Sequence, residues 1–165
     1  MSQELDRQAK ELHEALTEFV RLYQFRDRDR ICCHDVSVSQ CYALDVLVRR
    51  DRATLNEVAA ELHLDKSTAS RVIGALERKG YVARAPHPSD ARAVLLAATP
   101  AGRKLYAKIA DSLIAEQREI LAAFPATVRE AAPALIRRLA GAVRDRASCA
   151  TDGRIRVAAL TLRQA

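Results

Sequence analysis

The stretch TLNEVAAELHLDKSTASRVIGALERKG, from Thr54 to Gly80, decides the fold. Thr54-Leu55-Asn56-Glu57 has the Thr-x-x-Glu form of a capping box, in which hydroxyl and carboxylate satisfy each other's backbone donors at a helix start. It opens a short helix ending near His63, with Leu55, Val58, Ala59 and Leu62 on the inner face. A tight turn spans Leu62 to Asp65. Asp65 suits the N-cap of a second helix running from Lys66 to about Lys79, and Gly80 stands where a left-handed C-terminal cap is expected. Two short capped helices joined by a brief turn make a helix-turn-helix candidate.

In the second helix, Ala69, Val72, Ile73 and Leu76 recur at i, i+3, i+4 and i+7 and face a core. This leaves Lys66, Ser67, Ser70, Arg71 and Gly74 on the opposite side, with Thr68 beside them. Small hydroxyl side chains let a helix approach a major groove, and an arginine there reaches guanine O6 and N7. The plain reading of the same face is a solvated helix surface.

Outward from this core the chain reads as mainly helical. Ser37-Val38-Ser39-Gln40 is another capping box and starts a helix to about Arg49. Upstream, a first helix covers about Gln3 to Phe25, with an apolar stripe of Leu5, Leu12, Leu16, Phe19, Val20 and Tyr23, and is followed by the charged run Arg26 to Arg30. Downstream, Tyr81–Arg84 and Arg92–Ala98 read as short strands joined by the turn-rich Ala85 to Ala91, the pattern of a wing. Thr99-Pro100 starts a long helix to about Phe124, and after Pro125 another runs to about Arg146 with Ala132, Leu135, Ile136, Leu139 and Val143 on its apolar face. Arg154 to Leu162 is left open between a strand and a frayed tail.

The expected organisation is therefore an N-terminal dimerisation helix (1–30), a winged helix-turn-helix domain (37–102), C-terminal dimerisation helices (103–147) and a tail (148–165). The fold class is mainly α with a small β-hairpin wing. Leu5, Leu12, Leu16, Leu135, Leu139 and Val143 would bury their area best in a homodimer, with intrachain packing as the simpler account.

Composition agrees with an anionic partner. The 165 residues carry 27 Lys and Arg against 21 Asp and Glu, a formal net charge of +6, and most of the cations are arginine, the better bidentate partner of phosphate and guanine. The N-terminus has no signal-like apolar run, and no segment approaches the roughly 18 apolar residues of a membrane span, which places the chain in the cytoplasm with no membrane partner. There is no glycine-rich phosphate loop, no Ser-His-Asp ordering and no evident carboxylate pair, so an enzyme is not expected.

In a reducing compartment the four cysteines read as thiols or ligands, not as a disulfide framework. Cys32-Cys33-His34-Asp35, with Cys41 nearby, places soft thiolates beside an imidazole. Zinc, copper(I), arsenite and an oxidant suit this set equally, although adjacent cysteines are not one of the standard zinc spacings. The apolar setting of Cys41 suits a small core residue, and Cys149 stands apart. His13 and His63 are isolated, and His87 sits in the wing within reach of phosphate.

The string Asp65-x-Ser67-x-x-Ser70-Arg71, Leu76, Gly80-Tyr81-Val82-x-Arg84, Pro88-x-Asp90-x-Arg92, Thr99-x-x-Gly102 resembles the MarR family of winged-helix regulators, in detail over Ser37 to Gly102. The resemblance implies a dimer that puts each Lys66–Lys79 helix into a major groove of double-stranded DNA and each wing against a minor groove. Arg92 would enter the minor groove with Asp90 orienting an arginine nearby, and Arg84 and His87 would lie along the backbone. It also implies a near-palindromic operator and a repressor released by a small organic ligand, a metal or metalloid, or a thiol oxidant. Ala98 stands where the family usually has leucine, so looser packing is expected at the base of the wing. The competing class is a winged-helix module that binds protein without specific DNA binding.

Overall fold

The computed structural model describes residues 2–86 and 94–161, with side chains for 3–86 and 94–146. In order they form α1 (Ser2–Cys32), α2 (Val38–Arg50), β1 (Ala53–Thr54), α3 (Leu55–Glu61), α4 (Lys66–Arg78), β2 (Val82–Pro86), β3 (Val94–Ala98), α5 (Pro100–Ala122) and α6 (Ala126–Thr161). The chain divides into two compact units, Met1–Ala115 and Glu116–Ala165.

The first unit is built on α2, α3 and α4. Both expected capping boxes are present. Ser37 accepts from the Gln40 amide while Gln40 accepts from the Ser37 amide, and Thr54 and Glu57 repeat the arrangement. Their inner faces close one core of Leu44, Val46, Leu47, Val58, Ile73 and Leu76, to which α1 contributes Ile31, β3 contributes Leu96 and α5 contributes Ile109. Truncating any one of the large members costs about 2–5 kcal/mol through lost transfer energy and the cavity left behind.

The sheet is antiparallel in the order β1-β3-β2. Val82 pairs with Ala98, Arg84 with Leu96 and Pro86 with Val94, so Val82, Leu96 and Ala98 point into the core and Ala83 and Ala85 alternate outward. Ala98, where looser packing was expected, is buried in that cluster.

Four readings of the sequence need correction. The charged run after Phe25 does not end the first helix, which continues to Cys32. Arg26 stacks over the Tyr23 ring at 4.0 Å and pairs with Asp27 at 2.7 Å, while Asp27 and Ile31 face inward at 8% and 0% exposure. The run is thus amphipathic, a pattern its charge density hides. The strand Ala53–Thr54, paired with Leu95 and Leu96, was missed because two residues carry no periodicity. The helix Leu55–Glu61 stops short of His63, whose φ of 53° belongs to the turn. The last helix does not end near Arg146 but passes Pro133 and continues to Thr161, so Arg154 to Thr161 is neither the strand nor the frayed tail left open above.

Candidate nucleic-acid interface

The helix α4 is prepared at both ends by local chemistry. The Asp65 carboxylate accepts from the Thr68 amide at 2.9 Å, the Ser67 hydroxyl at 2.5 Å and the Thr68 hydroxyl at 2.7 Å. These donors, the Ser67 hydroxyl first among them, hold its pKa well below the usual carboxylate range, so Asp65 is an anion at any physiological pH. At the other end Lys79 caps the helix and Gly80 takes the left-handed conformation at φ 74°. The Gly80 amide donates to Glu77 and the Tyr81 amide to Leu76, satisfying carbonyls that a helix end leaves open.

Ala69, Ile73 and Leu76 are buried and Val72 packs against the core. Lys66, Ser67, Ser70, Arg71 and Arg78 form the outward face, as the periodicity predicts for the first four. Thr68, half-buried, links this face to the cap: Arg71 Nη2 donates to Thr68 Oγ1 at 3.0 Å while that hydroxyl donates to Asp65.

The cations around this helix fall into two groups. Arg49 is held by Asp45 and Glu61, Arg50 by Glu61, Arg103 by Asp51, Lys79 by Asp35, and Arg84 by Glu77. Lys66, Arg71 and Arg78 have no carboxylate partner among the described residues. A cation already paired has little left to offer a phosphate, whereas a free one displaces counterions on binding. The outward face of α4 therefore combines small polar side chains with uncommitted positive charge.

Arg84 Nε and Nη2 bind the two oxygens of Glu77 at 2.6 and 2.9 Å, tying β2 to α4. No sequence pattern announced this pair across a helix end and a strand. His87, Asp90 and Arg92, expected at the wing tip, lie outside the described residues. His13 and His63 are exposed.

The cysteines do not gather as the sequence suggested. Cys32 and Cys33 are exposed, whereas Cys41 is buried in the core. Burial first, then the charges of Asp45 and Asp27, push the Cys41 thiol up to about 11. Among the described residues no three His, Cys, Asp or Glu side chains are placed to hold a metal ion. His34 and Asp35 belong to the turn after α1, where Asp35 has φ 61°. The Lys79 ammonium hydrogen-bonds the Asp35 backbone carbonyl and lies 3.4 Å from its carboxylate and 3.5 Å from Gln40 Oε1. This strap joins the α1–α2 turn to the C-terminal end of α4.

A helix-turn-helix with a free polar face, closed by a small antiparallel sheet, defines a winged helix-turn-helix protein. The MarR family model matches residues 34–93. A curated relative, an uncharacterised HTH-type transcriptional regulator of Mycobacterium bovis, is 33% identical over 99 residues, which cover 60% of this chain and 66% of the relative, just under two thirds of its length. The crystal structure of a MarR family transcription regulator matches at a TM-score of 0.78 with 22% identity, covering 90% of this chain and 97% of that one. FabT of Streptococcus pneumoniae, crystallised in complex with DNA, matches at 0.73 with 21% identity over 83% of this chain and 98% of its own. The chain thus carries a segment similar to the MarR family and shares the fold of solved MarR family regulators.

Proposed function

We propose that this chain is a dimeric, sequence-specific DNA-binding transcriptional regulator of the cytoplasm, a repressor released by an effector. The observation that carries the reading is the outward face of α4, where Lys66, Arg71 and Arg78 have no carboxylate partner among the described residues while Arg49, Arg50, Arg84 and Arg103 are paired. Arg71, hydrogen-bonded to Thr68, would read a guanine edge, and Lys66, Ser67 and Ser70 would hold phosphates. His87, Asp90 and Arg92 would extend the contact along the wing, at whose root Arg84 is held by Glu77. The names of the curated relatives, HTH-type transcriptional regulators, and the DNA in the FabT crystal support it.

Dimerisation rests on unpartnered apolar surface. On α1, Leu5, Leu12, Leu16 and Phe19 are exposed, and on α6 so are Leu135, Ile136 and Val143, with Leu139 half-buried. A two-fold dimer would cover such stripes and set the half-sites about one helical turn of DNA apart.

The test is fluorescence anisotropy on DNA from the chain's own upstream region, at two salt concentrations, with Arg71→Ala and Lys66→Ala. Arg71→Ala should cost about 1–3 kcal/mol and relax base preference, and Lys66→Ala should weaken all sequences alike and lower the salt slope by about one. Binding that is indifferent to salt and to both substitutions would refute DNA recognition and favour a protein-interaction module.

A further inference from the structure

Two exposed thiols stand side by side at the end of α1, and the function proposed above uses neither. Cys32 is the last residue of that helix and Cys33 the first of the turn. The Cys33 thiol points back along the helix, 3.1 Å from the Arg30 carbonyl and 3.3 Å from that of Asp29. Cys41 is enclosed by the core, and no third ligand is close enough among the described residues to complete a zinc-like set. What remains is a two-thiol site open to solvent. Such a site satisfies a soft, trivalent centre, which needs only two protein sulfurs beside its own substituent.

We infer that Cys32 and Cys33 form a dithiol site for trivalent arsenicals, whose occupation reaches α4 through the Asp35–Lys79 strap. This rests on the DNA-binding reading of α4 for its consequence, not for its chemistry. With a monosubstituted arsine oxide, two As–S bonds form, the As=O bond breaks, and the oxygen leaves as water with the two thiol protons. With arsenite, two hydroxyls leave as two waters and the third stays on arsenic. Arsenic remains trivalent in both, so no oxidant or reductant is consumed.

Closing a chelate ring over the one peptide bond between Cys32, the last helical residue, and Cys33, in the turn, turns the Cys33 thiol away from the helix carbonyls it now faces. The thiol contacts to Asp29 and Arg30 are then lost. Ile31, with no exposed surface, anchors the N-terminal side of the site. The displacement therefore passes to His34 and Asp35, where the left-handed turn is bonded to Lys79 at the C-cap of α4.

The experiment uses the full chain and phenylarsine oxide. One equivalent should consume two titratable thiols, give one adduct by intact mass, and be reversed by 2,3-dimercaptopropanol in preference to a monothiol. Cys32→Ser and Cys33→Ser, both at exposed positions, should each abolish the reversible adduct, and Cys149→Ser should leave it intact. On the DNA that the free protein binds, the adduct should change affinity by about tenfold, a typical coupling between two sites. Lys79→Met should keep the adduct and lose most of that change. An adduct that survives in both serine variants, or that needs Cys149, overturns the site. An adduct without effect on DNA affinity overturns the strap. Because thiol stoichiometry is read without DNA, a protein that chelates but never binds DNA would sink the regulator reading while leaving the dithiol site standing.

Discussion

The Thr68 hydroxyl accepts a hydrogen bond from Arg71 at 3.0 Å and passes its own proton toward Asp65, 2.7 Å away. One side chain thus connects the N-cap of α4 to Arg71, the arginine proposed to read a base. A free arginine loses rotamer entropy when it binds, and an arginine already aligned loses less.

Thr68→Val keeps the shape and removes the relay. Affinity for the preferred operator should fall about three- to tenfold, the worth of one hydrogen bond, with the loss concentrated at the base that Arg71 contacts. Thr68→Ser should restore it. Competition binding against single-base operator variants distinguishes this from a general loss of helix stability, which would weaken every sequence and leave the ranking of bases unchanged. Equal behaviour of the valine and serine variants would remove Thr68 from recognition.

The two helices that carry the reading were legible because their signals are local. Ser37, Thr54, Asp65 and Gly80 each act within a few residues of chain, and Ala69, Ile73 and Leu76 repeat at helical spacing. The ion pairs that decide which cations are free were not. Glu77 with Arg84, Asp51 with Arg103 and Asp35 with Lys79 join separate elements, and composition counts their charges without saying which cancel. The extension of α1 through Arg26 to Arg30 was hidden for a related reason, since the burial of Asp27 depends on Tyr42 of another helix donating to it at 2.6 Å.

The Arg84–Glu77 clamp makes a second prediction. Arg84 is committed to two carboxylate oxygens, so its charge is masked at the root of the wing. Glu77→Gln should free it. DNA affinity at low salt should rise and the log–log salt slope should steepen by about one. Stability should change by no more than about 1 kcal/mol, because the pair is partly solvated. Anisotropy titrations at several salt concentrations, with thermal melts alongside, check both halves, and an unchanged slope would mean that Arg84 never meets phosphate.

Gly102 tests the packing beneath the wing. Thr99 accepts from the Gly102 amide at 3.1 Å and donates to the Gly80 carbonyl at 2.7 Å, which draws the start of α5 onto the end of α4. A Cβ at Gly102 would collide with the Tyr81 carbonyl, a backbone atom held by the Thr99 amide at 3.0 Å that cannot rotate away. Gly102→Ala should therefore destabilise by about 1–3 kcal/mol through overpacking, read by denaturant unfolding. The same substitution at Gly141, which has open space around it, should be neutral or mildly stabilising, since alanine is the better helix former.

Burial separates Cys41 chemically from Cys32 and Cys33. Its pKa in the folded chain is raised to about 11, above the roughly 8.5 of a free thiol. A raised folded value means that the contribution to stability is fully present below the unfolded pKa and is lost as pH climbs through the folded one. The melting temperature should accordingly fall between about pH 8.5 and 11, and less steeply in Cys41→Ala. Tyr106, pushed up to about 12 by burial and by its hydrogen bond to Asp45, will leave some of that slope in place. Iodoacetamide at pH 8 should label Cys32 and Cys33 in the native protein and reach Cys41 only after denaturation. Rapid native labelling of Cys41 would show that the α1–α2 core opens far more readily than its packing implies.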